Sequence, residues 1–147
     1  MNVGAGSRST AAVFLILTLF IADTAVGQDD RIASELKDAI SKNPSTLGMV
    51  HAYLDAEKKW LEEIDHAISG LKGKLASEQW LALEESQKIW MAYRESELNA
   101  QGKIFGRMRG TMWQLTAASS RMELARSRAS TTQLCPNVTG TMNDRLA

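Results

Sequence analysis

The sequence predicts an all-α fold: a small antiparallel up-and-down helical bundle with two long central helices. Three observations predict it. Apolar residues recur at intervals of three and four over most of the chain, the spacing of one helix face. Only 2 prolines interrupt 147 residues. No long stretch alternates β-branched with polar residues, as a half-buried strand would. With 44% apolar and 23% charged residues, the composition is that of a globular protein, so disorder is not expected. The length fits one domain with a short appendage.

That appendage is expected at the N-terminus. Residues 1–27 have the three parts of a secretory signal. Arg8 supplies the positive charge, Ala11–Ala22 form the apolar run AAVFLILTLFIA, and Ala25-Val26-Gly27 places small residues before Gln28. The apolar run is short of the roughly 20 residues that span a bilayer as a helix, and Asp23 follows it directly. Cleavage after Gly27 is therefore expected rather than a membrane anchor, leaving a periplasmic or secreted chain with no stable membrane span. Export exposes the chain to an oxidising compartment. The lone Cys135, beside Pro136, has no second cysteine to bridge. It is read as a free thiol or as one half of an intermolecular disulfide. Asn137-Val138-Thr139 matches a glycosylation acceptor only weakly.

The remaining chain divides into helices. Over 30–42, Ile32, Leu36, Ala39 and Ile40 share a face; Asn43-Pro44 ends it, because a residue preceding proline avoids the helical region. This short helix, within residues 28–46, is expected to be accessory. Ser45 or Thr46 can cap a second helix, 47–71, with Val50, Leu54, Leu61, Ile64, Ile68 and Leu71 on one stripe and Trp60 beside it. Gly70 and Gly73 mark its end. The third helix, 77–100, has Ser77 as its expected cap. Trp80, Leu83, Gln87, Trp90, Arg94 and Leu98 recur at helical spacing, so a glutamine and an arginine occupy core-like positions. Residues 102–110, GKIFGRMRG, combine three glycines with three bases and read as a loop. Thr111 can cap a fourth helix to 134, with Met112, Leu115, Ala118, Met122 and Ala125 on its apolar face. Residues 135–147 are expected to be a flexible tail. Short connections favour antiparallel neighbours, so 47–71 and 77–100 are expected to form the central pair, with 111–134 packed across them.

Neutral net charge hides an asymmetry. Residues 28–101 carry 9 Lys+Arg against 14 Asp+Glu, or −5; residues 102–147 carry 7 against 2, or +5. Such a molecule can associate with itself or show faces of opposite sign to different partners. The basic residues have no interleaved aromatic stacking set, so no nucleic-acid partner is expected. Catalytic patterns are missing: there is no HExxH, GxSxG, P-loop or GxGxxG, and no CxxCH for haem. Glu62 and His66 lie one turn apart, a pairing that usually is a solvated surface contact rather than a metal site. No metal, cofactor or catalytic residue is expected, and the chain is not expected to be an enzyme.

The stretch Gln87-Lys88-Ile89-Trp90-Met91-Ala92-Tyr93-Arg94-Glu95, followed by a Gly-rich loop and Gly110-Thr111-Met112-Trp113, resembles the LprI-type lysozyme-inhibitor family. The resemblance covers about residues 49–134 within the LprI-like domain assigned to 47–134, and is most specific over 87–95. It assigns structural roles to Gln87, Trp90, Tyr93, Arg94, Glu95 and Gly110. It also implies cysteines stapling the loop, whose positions here hold Leu98 and approximately Arg121. Apart from any family, Arg94 cannot be buried alone, because an unpaired buried charge is heavily penalised. It is expected to pair with Glu57, Asp65 or helix-end carbonyls. Trp90 reads as a core anchor, and Gly110 supplies backbone freedom before Thr111.

The resemblance implies a c-type lysozyme as partner, bound by contact without chemistry. The loop residues Lys103, Phe105, Arg107 and Arg109 are the expected insert into its acidic cleft, and the acidic helix 55–65 the steering surface. An envelope structural or interaction module with no lysozyme role is the alternative.

Overall fold

The computed structural model describes residues 24–143, with side chains from Arg31 to Gln133. Four helices follow one another: α1 Thr24–Lys42, α2 Thr46–Leu71, α3 Ser77–Phe105 and α4 Met112–Asn143. The described residues contain no strand, so the fold is the all-α bundle that the sequence predicts. The apolar run Ala11–Ala22 lies outside the described residues. None of the described helices is long and apolar enough to cross a membrane.

Local chemistry sets the boundaries. Ser45 is extended and accepts from Gly48 N at 3.1 Å, capping α2. Gly73, at φ +82°, turns the chain between α2 and α3 in a conformation that a side chain would strain. The cap of α3 is Ala76, one residue before the expected Ser77: its carbonyl accepts from Trp80 N, and Gln79 Oε1 accepts from its amide at 3.0 Å. Helix α3 also runs five residues past Ala100, through Gly102. A glycine inside a helix costs only about 1 kcal/mol, and the added turn brings Phe105 onto Trp113. Helix α4 continues past Leu134 to Asn143, so the backbone of the expected tail is helical over most of its length. Pro136 lies within it and leaves the Thr132 carbonyl without its usual helical donor.

The central pair is α2 with α4, not α2 with α3. On α2 the buried line is Ala52, Ala56, Trp60, Ile64 and Leu71; Val50, Leu54, Leu61 and Ile68 stand half-buried beside it. Trp60 is thus in the centre of the stripe. From α4 come Ala118, Met122, Ala125 and Ala129, and Ala125 and Ala129 are wholly buried. Small residues let the two axes approach until the indole of Trp60 fills the space between them. Met112, expected on that apolar face, is exposed at the start of α4.

Helix α1 is integral rather than accessory. Ile32 is buried in the same cluster as Trp60, Ile64 and Ala129, with Leu36 packed against it. An ion-pair chain holds its outer edge: Glu35 accepts from Arg31 at 2.9 Å and from Lys59 of α2 at 2.5 Å, and Arg31 reaches Glu63 at 3.8 Å. The hydrogen bond from Lys59, then that from Arg31, holds the Glu35 carboxyl below the usual carboxylate range. Its stabilising effect is therefore present at neutral pH and fades as acid protonates it; solvent keeps it small.

By contrast, α3 buries no residue. Its inward positions mix half-buried Leu83, Trp90 and Leu98 with the long polar Gln87, Arg94 and Gln101, and Gln87 and Arg94 hydrogen-bond to Arg128 and Glu57. It is the outer rod of the bundle.

This packing predicts that Ala125→Leu lowers the unfolding free energy by about 2 kcal/mol, because overpacked cores must distort. Ala82→Leu, on exposed α3, is expected to change it by less than about 0.5 kcal/mol. Urea denaturation of both variants checks this.

Candidate functional site

Two features of the α3–α4 hairpin carry its chemistry: a charge cluster that fastens it to α2, and the exposed tip beyond. At the cluster, Glu57 is only 3% exposed although it is charged. Arg94 of α3 pairs with its Oε1, and Arg121 Nε of α4 donates to its Oε2 at 3.0 Å. Both carboxylate oxygens thus meet a guanidinium, which is how a carboxylate out of water is kept tolerable. Of the partners expected for Arg94, it is Glu57 that the fold supplies. The Arg94 side chain is 15% exposed and that of Arg121 39%, so the first pair is the drier one. Arg94 Nε and Gln101 Oε1 remain buried without partners among the described residues.

One and two turns farther from the tip, Arg128 of α4 makes a second tie. Its Nε donates to Gln87 Oε1 at 3.1 Å, its terminal nitrogen to Ser86 Oγ at 3.3 Å, and its guanidinium lies 5.8 Å from the centre of the Trp90 ring. A cation over an indole face is attracted by the ring quadrupole. Trp90 is half-buried and packs against the core cluster from its edge. Gln87, Trp90 and Arg94 therefore act together on the inner face of α3. Tyr93 and Glu95 do not join them; both are exposed.

The sequence reading missed Arg121 and Arg128. Arg121 entered it only as the approximate position of an absent cysteine. The available signal was register: Arg121 stands one turn from both Ala118 and Ala125, and Arg128 one turn from Ala125 and Thr132, all buried. A charge so close to a core stripe requires a partner.

At the tip, Phe105 stacks on Trp113 with ring centres 5.7 Å apart and planes 16° from parallel. Met108 N donates to Phe105 O at 3.0 Å in the turn that follows. Gly110, at φ +101°, lets the chain reverse into α4, where the Thr111 carbonyl accepts from Leu115 N. Ile104, Met108, Met112 and Trp113 are exposed around this stack. Lys103, on the last turn of α3, and Arg107 and Arg109, in the turn, are exposed as well. The expected insert is thus half helix and half turn, and its centre is aromatic. An apolar patch rimmed by charge has the composition of a protein-contact surface.

Among the described residues, no group of three or more His, Cys, Asp or Glu is placed to hold a metal ion. Fold and site together define a class: a small helical domain on a buried carboxylate–arginine cluster, with an apolar, cationic tip. The family model "Lysozyme inhibitor LprI" matches residues 37–131, and the chain belongs to that family. No curated protein and no solved structure matches it.

The cluster geometry ranks three variants. Glu57→Ala strands two arginines and is expected to cost about 3 kcal/mol. Arg94→Ala should cost about 2 kcal/mol, and Arg121→Ala, already wetter, about 1 kcal/mol. Glu57→Ala combined with Arg94→Ala should cost less than the sum of the two, which denaturant titration of the double-mutant cycle measures.

Proposed function

We propose that this protein is exported and inhibits a c-type lysozyme by contact, with no catalysis of its own. The observation that carries this reading is the tip: an aromatic stack inside exposed apolar side chains, carrying Lys103, Arg107 and Arg109, at the end of a hairpin in a lysozyme-inhibitor family member. A lysozyme cleft holds two carboxylates flanking the scissile bond. A cationic protrusion that enters it gains charge-assisted hydrogen bonds in a water-poor site. Phe105 would give the tip its stiffness through Trp113, and the exposed methionines would adapt to the cleft walls.

Steering falls to Asp55, Glu62 and Asp65, which are exposed on α2. Glu57 belongs to the buried cluster instead and takes no part. A basic lysozyme would be drawn to the acidic flank and then engaged by the tip. Export rests on the apolar run before Asp23 and the small residues at Ala25–Gly27, with processing after Gly27. Periplasmic or secreted, the chain then meets its target outside the cytoplasm.

Lysozyme turnover of cell-wall substrate, measured with the purified protein beginning at Gln28, tests the reading. Inhibition at micromolar concentration is expected. Arg107→Glu with Arg109→Glu should weaken it at least about tenfold, since both the attraction and its sign are lost. No inhibition at micromolar excess would remove the lysozyme reading and favour an envelope interaction module. Inhibition that survives the double reversal would move the site away from the tip.

A further inference from the structure

Helix α3 has a second face, opposite the one that meets Glu57 and Arg128. Leu81, Ile89, Tyr93 and Ile104 are each at least half exposed along it. Between the last two apolar positions lies a shallow groove lined by Ala92, Ser96 and Ala100, with Glu95, Asn99 and Lys103 at its edges. The spacing of these residues puts them on one stripe, as i, i+3, i+4 and i+7 positions do. Nothing in the fold of the described residues covers it.

We propose that this face pairs with the same face of a second copy of the chain, antiparallel, about a twofold axis between Ala92 and Tyr93. The argument is self-complementarity, which a twofold contact demands of a single surface. With the axis there, Leu81 faces Ile104 of the second copy, and Ile89 lies over Ser96, where the groove is open. Glu85 comes within a turn of the second copy's Lys103, and Lys88 within a turn of its Glu95. Symmetry repeats each pair, so these four charges on either copy meet opposite charges. A parallel pairing would set Glu85 on Glu85 and Lys103 on Lys103, which like-charge repulsion disfavours. The small residues at the centre let two helices approach closely. Lys103 stands on the border of this face and the tip.

Two facing helices bury on the order of 1,000 Å² in total, the range of weak, reversible contacts. The dimer should therefore form in the micromolar range. Sedimentation equilibrium of the purified protein from about 1 to about 200 µM is the test. A concentration-dependent dimer is expected, weakened at least about tenfold by Ala92→Arg and several-fold by Glu85→Lys. Ala92 is exposed, so the helical circular-dichroism signal should not change. Glu85→Lys combined with Lys103→Glu should restore dimerisation to within about threefold of the original. A monomer throughout the range would overturn the proposal. So would a dimer that Ala92→Arg leaves intact, or a charge exchange that restores nothing.

Discussion

A carboxylate removed from water must find cations, and Glu57 meets that demand with guanidinium groups from two other helices. The placement of α3 follows from this constraint. Glu57 sits on α2 within the buried line that includes Ala56 and Trp60. It therefore fixes where α3 lies beside α2 and α4, which together carry most of the core. Arg94 brings α3 in, and Arg121 ties α4 at the same point. The pairing specifies geometry more than it adds stability, since a buried ion pair recovers little beyond the cost of drying it.

The molecule divides its labour accordingly. Helices α1, α2 and α4 make a conventional apolar core: Ile32, Trp60, Ile64, Met122 and alanines whose small size brings the axes together. Helix α3 is attached by directional contacts: the Glu57 pair, the Arg128 bonds to Gln87 and Ser86, the Trp90 edge and the Phe105–Trp113 stack. Such attachment fixes position without burying the helix. It leaves the outer face of α3 and the hairpin tip in solvent. The apolar, cationic tip and the exposed acids of α2 lie on different parts of the molecule.

Much of this was legible in the amino-acid pattern. Helix spacing, the Asn43-Pro44 break, the Ser45 cap and the turn at Gly73 are local, and local rules found them. That Arg94 needs a partner was legible, since an arginine on a core-like stripe must be paired, but Glu57 stood beside Asp65 and the helix-end carbonyls as a candidate until the fold selected it. The arrangement of helices was not. Periodicity reports that a helix has an apolar face but not which neighbour receives it, and Trp80, Leu83, Trp90 and Leu98 give α3 an apolar stripe that Gln87 and Arg94 interrupt. The core of α4 escaped for a related reason: its alanines are weak as apolar signals yet decisive for close packing. The helical course of 101–105 is hidden because the glycines at 102 and 106 predict a loop, whereas the stack of Phe105 on Trp113 favours another turn.

The claim that Glu57 fastens α3 to the core is tested most directly by native-state hydrogen exchange, compared residue by residue between the protein and Glu57→Gln. If the account holds, amides of α3 around Arg94 lose protection by at least about tenfold, while those of α2 and α4 around Trp60 and Ala125 keep most of theirs. Unchanged protection in α3, or an equal loss across all four helices, would contradict it.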